Sequence, residues 1–369
     1  MTRRVRTALS PVLAPALALL RRRPLVLPGA LFVLVLGVGL SGLGRPPAEA
    51  GAPYGNGERA WLAGARTAPS ADPSGRAVVP RPTGSDAAHV APERQPPVAV
   101  PTGGPGQLPR GGTTLFPRFR LVGYSGGPHT AAFGRLGIGR VDDRVAEIER
   151  HGAAYAAGRE PLPVLELITV VAQAKPGRDR KYRARIDDAV ISEYLAAARR
   201  HRALLLLNVQ PGRADFLAEV RALERWLKEP DVGVALDPEW AVGPRQVPGR
   251  VYGSTTGKEL AGVAAYLDSV VRRHRLPQKA MVVHQLAPRI VTDFDDVGRH
   301  AGVAVIQSVD GIGARADKVA TWRRLVAALP PTVHPGFKLF FEEDTESGPL
   351  MTPQQVLALR PQPEYVLYE

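Results

Sequence analysis

VGVALDPEW, residues 232–240, alternates with a period of two: Gly233, Ala235, Asp237 and Glu239 share one face of an extended chain, and Val234 and Leu236 share the other. Small and acidic side chains suit a crowded barrel lumen; branched ones suit packing beneath helices. The stretch is one of eight short apolar runs, the others being FRLVGYSG (119–126), PVLELITVVAQ (163–173), ALLLLNVQPG (203–212), AMVVHQLAP (280–288), GVAVIQSVDG (302–311), GFKLFFEED (336–344) and EYVLYE (364–369). Most are separated by stretches with helical periodicity, and nearly every run has a polar or charged residue among its last three positions. Regular strand–helix alternation argues for parallel pairing through βαβ crossovers, and this count predicts an α/β fold, a (β/α)8 TIM barrel with its working face at the strand C-termini. An open doubly wound sheet uses the same local units. The barrel is favoured because the last run falls where an eighth strand would close against the first. No helix follows Glu369, so a segment around 108–118 is expected to cover the place of the eighth.

The helices carry start signals with a physical basis. Thr256 three residues before Glu259 is a capping box, and Thr352 followed by Pro353 is an N-cap with proline at the first helical position. A barrel of roughly 250 residues leaves the first third of the chain over. Residues 1–50 hold arginines at 3, 4, 6 and 21–23, then the apolar LVLPGALFVLVLGVGLSGL (25–43) and Ala48-Glu49-Ala50. This pattern predicts a signal peptide cleaved after Ala50, or else an uncleaved anchor as the sole membrane attachment, and so a secreted or cell-surface protein. Residues 51–115 are dense in Pro, Gly, Ala and Ser and predict a disordered linker, with the barrel at 116–369. The absence of cysteine excludes a lipobox anchor, a thiol nucleophile, thiolate metal sites and disulfides. The net charge of +13 and pI near 10.4 owe much to an arginine-rich composition. One cluster stands out, Lys175, Arg178, Arg180, Lys181, Arg183 and Arg185, in the loop after the second run. It reads either as a steering surface for an anionic polymer or as a solvated loop; with Tyr182 its single aromatic, nucleic-acid binding is not expected.

The seventh run repeats the alternation of the fourth: Gly336, Lys338, Phe340 and Glu342 share a face, with Phe337, Leu339 and Phe341 opposite. Glu239 and Glu342 are therefore expected to project above the barrel at the ends of strands four and seven. Two carboxylates across a cleft are what glycosidic cleavage requires, one as proton donor and the other as nucleophile or base. Glu239 is the expected acid, its pKa raised by repulsion from Asp237 and partial desolvation by Trp240; Glu342 is the expected nucleophile or base, kept ionised by Lys338. Tyr124, Asn208, Gln210, His284, Gln285, Gln307 and Asp310 stand at other strand ends and, with Lys338, suit a hydroxyl-rich ligand. Trp240 fits stacking on a sugar ring or packing beneath the loop that follows. That loop, 241–253, has the length and Gly/Pro content of a cleft wall or lid.

On these residues the chain resembles, at a general level, the secreted TIM-barrel glycoside hydrolases, and LDPEW (236–240) is similar to the end of the chitinase-type D-x-x-D-x-D-x-E motif. Asp237 and Glu239 match that pattern, whereas Val232 and Ala235 occupy its earlier acidic positions. The resemblance implies a hydrolase that uses paired carboxylates, with no cofactor or metal, on a cell-wall or environmental polysaccharide. Two alternatives have other discriminators: a non-catalytic glycan-binding or scaffold barrel, and a metal-dependent phosphodiesterase using Glu166, Asp237, Glu239, His284 and Asp310 as ligands. TDFDDVGRH (292–300) echoes the TFDDG of polysaccharide deacetylases but precedes a strand. No G-x-S-x-G elbow occurs, and GRLGIG (134–139) does not directly follow a run, so neither a serine nucleophile nor a dinucleotide site is expected.

Overall fold

The period-two alternation read from the sequence sorts the side chains of a closed parallel barrel. The computed structural model describes residues 106–369; the expected export segment and most of the expected linker lie outside the described residues. The strands are β1 (Phe119–Gly126), β2 (Glu160–Ala172), β3 (Leu204–Val209), β4 (Val232–Leu236), β5 (Lys279–Gln285), β6 (Val303–Val309), β7 (His334–Leu339) and β8 (Tyr365–Tyr368). Each pairs in parallel with the next, and β8 closes on β1 through Leu121 opposite Tyr365 and Tyr124 opposite Tyr368. Helices α1 (Val141–Ala153), α2 (Asp188–Arg200), α3 (Phe216–Ala222), α4 (Gly257–His274), α5 (Arg315–Val326) and α6 (Pro353–Leu357) follow β1, β2, β3, β4, β6 and β7. After β5 the crossover is made by two 3-10 turns, Pro288–Ile290 and Phe294–Val297. The expected capping box forms at Thr256 with Glu259, and the expected N-cap Thr352, with Pro353 after it, proves to be a second capping box with Gln355.

Two apolar cores follow from the alternation. Val234, Leu236, Val283 and Leu339 face outward into the layer beneath the helices, with Phe341 packed against it. Leu121, Val164, Leu206, Ala235, Val282, Ile306 and Leu367 fill the lumen. A slip of one residue in any strand would exchange the two sets, so the agreement fixes the register of β4 and β7.

The segment before β1 departs from expectation. Leu108 and Leu115 are fully buried in the lumen cluster beside Phe119, so residues 106–115 belong to the barrel domain and plug its N-terminal mouth instead of flanking it. Polar bonds fix the plug: the Leu115 amide donates to Gln278 Oε1 at 3.0 Å, and Arg110 Nη1 donates to the Pro161 carbonyl at 2.9 Å. The place of an eighth helix, outside β8 and β1, is covered by rings. Tyr124, Tyr155, Phe341 and Tyr368 interlock there with His151, and the Tyr155 and Tyr368 hydroxyls meet at 2.6 Å. Beside them the buried Arg120 guanidinium donates to the carbonyls of Pro363, Ala156 and Tyr155, tying β1 to the chain that enters β8.

Candidate active site

Toward the strand C-termini the lumen changes from apolar to ionisable. Glu166 follows Leu162 and Val164 on the inward face of β2 and has no exposure at all. Four donors converge on it: Tyr365 OH on Oε2 at 2.7 Å, and His284 Nε2, Asn208 Nδ2 and Ser125 Oγ on Oε1 at 3.0, 3.2 and 3.4 Å. Burial pushes the Glu166 carboxyl up, but the charges of His284 and Lys338 and the Tyr365 hydroxyl outweigh it and hold the group below the usual range. Tyr365 reaches this layer from the start of β8 because Gly336 leaves room for its ring. A Cβ at 336 would stand 3.2 Å from the tyrosine Cδ1.

The other members stand around this hub. His284 Nδ1 is 3.6 Å from Asp310 Oδ2, and Lys338 Nζ lies 3.5 Å from the same oxygen and 2.8 Å from Glu369 Oε2. Glu166 raises the His284 pKa above its ordinary value against the effect of burial, and Asp310, Glu369 and Asp237 do the same for Lys338. Asp237 accepts from Asn208 Nδ2 at 2.9 Å and from Gln210 Nε2 at 3.2 Å; burial raises its pKa against the pull of His284 and Lys338. Burial likewise pushes Asp310 up to about 6 against Lys338 and His284.

Glu239 differs from all of these. Strand β4 ends at Leu236, and Pro238 opens a 3-10 turn, Pro238–Trp240, so Glu239 is carried on a turn and not on the strand face. It is 2% exposed, and neither carboxyl oxygen has a hydrogen-bond partner. Burial first, then the charges of Asp237 and Asp310, push its pKa well above the carboxylate range. Asp310 Oδ1, Asn208 Oδ1 and His284 Nδ1 are also buried without a hydrogen bond, so five unsatisfied polar atoms belong to four neighbouring side chains. Such groups are rare in native interiors, and each calls for a bound partner or a functional reason. With Glu239 protonated, the five comprise three accepting oxygens, one carboxylic O–H and the His284 ring nitrogen, a mixture that suits a ligand able both to donate and to accept, as a hydroxyl is.

Several expected residues lie elsewhere. Glu342 is exposed, because β7 ends at Leu339 and the chain turns into the 3-10 helix Glu343–Thr345; Lys338 pairs with Asp310 and Glu369 instead. Tyr124 faces outward and bonds His151 Nδ1 at 2.8 Å. Gln285 and Gln307 share the outward parity of Val283 and Val305, and Gln307 Nε2 donates to Gln285 Oε1 at 2.5 Å. Tyr124, Gln285 and Gln307 thus consolidate the barrel wall. Trp240, half-buried, follows Glu239 on its turn. The loop after it folds back: the Gly253 amide donates to the Glu239 carbonyl at 2.6 Å, and with Phe216, Lys258 and Glu259 the loop walls a groove of about 670 Å³. Among the described residues, no group of three or more His, Asp or Glu side chains is arranged to hold a metal ion. Compared with known proteins, the chain matches no protein-family model and no curated sequence.

Proposed function

We propose that the barrel hydrolyses glycosidic bonds in an extracellular polysaccharide, with Glu239 as proton donor and Asp310 as its ionised partner. The observation that carries this reading is the pairing of two buried carboxyls, both raised by burial but to different extents, and both with unpartnered oxygens. Glu239 sits between like charges and holds its proton; Asp310 sits against the Lys338 ammonium and the His284 ring and gives its proton up near neutrality. Environments that push two carboxyl pKa values apart assign acid and base between them. In a glycosidic cleavage Glu239 protonates the leaving oxygen, and Asp310 either attacks the anomeric carbon or activates water. Lys338 and His284 position Asp310 and keep it ionised, while Asn208 and Gln210 orient Asp237 beside the acid. Asp310 takes the role the sequence suggested for Glu342.

A barrel that binds glycans without cleaving them is the second reading, favoured by the deep burial of both carboxyls, each 2% exposed. One experiment separates the two. Glu239→Gln and Asp310→Asn are each expected to lower turnover of a cleaved polysaccharide by about three orders of magnitude or more while leaving the fold intact, by analogy with general acid–base contributions. Reducing-sugar release at full rate by either variant excludes the assignment. Binding with no release by the unaltered chain establishes the second reading.

A further inference from the structure

The six cations of the 175–185 segment fall into two groups. Arg183 and Arg185 stand on a short strand, Arg183–Arg185, antiparallel to the end of β2, and their Nε atoms both donate to the buried Glu219 carboxylate at 2.8 Å. Lys175, Arg178, Arg180 and Lys181 are all exposed. The segment's single carboxylate, Asp179, is taken up by Arg183 at 2.7 Å and by the Lys181 amide at 3.1 Å.

A run of like charges ordinarily repels itself into an extended, mobile chain. This one is pinned. The Gln173 amide donates to the Tyr182 carbonyl at 2.8 Å, the Arg213 amide donates to the Lys181 carbonyl at 2.7 Å, and the Arg213 guanidinium lies 4.0 Å from the centre of the Tyr182 ring. Arg180 and Tyr182 are held at φ of +59° and +56°, a region that large side chains seldom adopt. Gly212 is required beneath them, since a Cβ there would run into the carbonyl oxygens of Lys181 and Tyr182. The loop base also touches the site: Gln210 accepts from the Ala172 amide at 3.2 Å and donates to Asp237 at 3.2 Å.

We infer that the 175–181 loop is a pre-formed cationic surface that engages an anionic polysaccharide and feeds it to the carboxylate cluster. The inference rests on the glycan reading of that cluster and adds the charge of its substrate. Order imposed on repelling charges is compensated when an anionic chain arrives, and two of the four cations are arginines, whose planar forks match carboxylate and phosphodiester groups alike. The segment's one ring already carries Arg213, so it offers no platform for stacking nucleic-acid bases.

The test measures binding, independent of turnover. The full chain is titrated by fluorescence anisotropy with labelled polyuronate, a polyol-phosphate polymer, neutral dextran and single-stranded DNA, each at low and high salt. The unaltered chain is expected to bind one or both anionic glycans at least about tenfold more tightly than dextran, with affinity falling as salt rises. The combined variant Lys175→Gln, Arg178→Gln, Arg180→Asn, Lys181→Gln is expected to lose that advantage with an unchanged far-ultraviolet spectrum; asparagine tolerates the left-handed backbone at 180. The two anionic arms decide between carboxylate and phosphodiester. Equal affinity for dextran, salt-independent binding, or an undiminished advantage in the folded variant overturns the inference. So does DNA bound as tightly as the anionic glycans. Should the variant not fold, the dextran comparison and the salt series on the unaltered chain still decide. Glu239→Gln, read by turnover alone, tests the hydrolysis reading: if no polymer is cleaved yet the loop binds as described, that reading fails and this one stands.

Discussion

Glu239 has a thermodynamic signature separable from catalysis. Its native pKa lies well above the ordinary glutamate value because burial and the neighbouring Asp237 and Asp310 disfavour the charged form. Above the ordinary value the unfolded chain releases this proton while the native one keeps it, so the native state binds more protons and stability falls as pH rises toward the native value. The slope from one such group is at most about 1.4 kcal/mol per pH unit. Glu239→Gln is therefore expected to be more stable than the unaltered chain at pH 8 and indistinguishable near pH 4, as read by urea midpoints across that range. Equal stabilities throughout would contradict a protonated Glu239. Turnover has a matching profile: it should rise through the Asp310 value of about 6 and decline only where Glu239 ionises. A rate maximum below pH 5 excludes Asp310 as the ionised partner. At this scale the sequence is legible where a residue follows an unbroken strand. Asp237, Lys338 and the hub Glu166, which shares the parity of Leu162 and Val164, could all be placed by counting. Glu342 could not, because the strand stops at Leu339 and period two no longer applies beyond it. Tyr365 was hidden differently: it sits at the start of a strand and acts at the level of the ends, a reach that only the space above Gly336 reveals.

At the scale of elements, a single buried carboxylate ties the basic loop to the barrel. Glu219, on α3 and 1% exposed, holds Arg183 and Arg185, one on each oxygen. Removing it strands two guanidinium groups, of which Arg183 is largely buried and Arg185 is 46% exposed. Breaking a buried pair costs about 3–5 kcal/mol, and the exposed arm contributes little, so Glu219→Ala is expected to lower unfolding free energy by about 2–3 kcal/mol. Hydrogen exchange should quicken at Gln173 and Tyr182, whose amides close the loop, and stay unchanged in β5 and β6. Unaltered exchange at those two amides would show that the loop is held by its backbone alone. The helices were readable wherever capping boxes marked them. The crossover after β5 was less so, because FDDVGRH has too few residues for a helix nucleus to propagate and settles as a 3-10 turn over Phe294–Val297.

For the whole molecule, the barrel is closed from below by chain that composition assigned to a linker. Gly, Pro and Arg dominate residues 106–118, and periodicity has nothing to act on in so irregular a stretch. Only the contacts disclose that its two leucines complete the lumen. Leu115 and Leu108 have no exposure and join Phe119, Leu121 and Tyr365 in one cluster, so the plug and the floor of the active-site layer share a core. The Tyr365 ring transmits that packing upward, since its hydroxyl donates to Glu166. Leu115→Ala is accordingly expected to cost about 2–5 kcal/mol of unfolding free energy, the range for a buried leucine whose cavity does not collapse. Leu350→Ala, at a partly buried position against the outer core, should cost less. If Tyr365 settles into the space left by Leu115, it withdraws a donor from Glu166, and the acid limb of the pH–rate profile should move together with the stability loss. Measured unfolding curves that place Leu115→Ala within about 0.5 kcal/mol of the unaltered chain, the range of surface substitutions, would show that the segment rests against the barrel without completing its core.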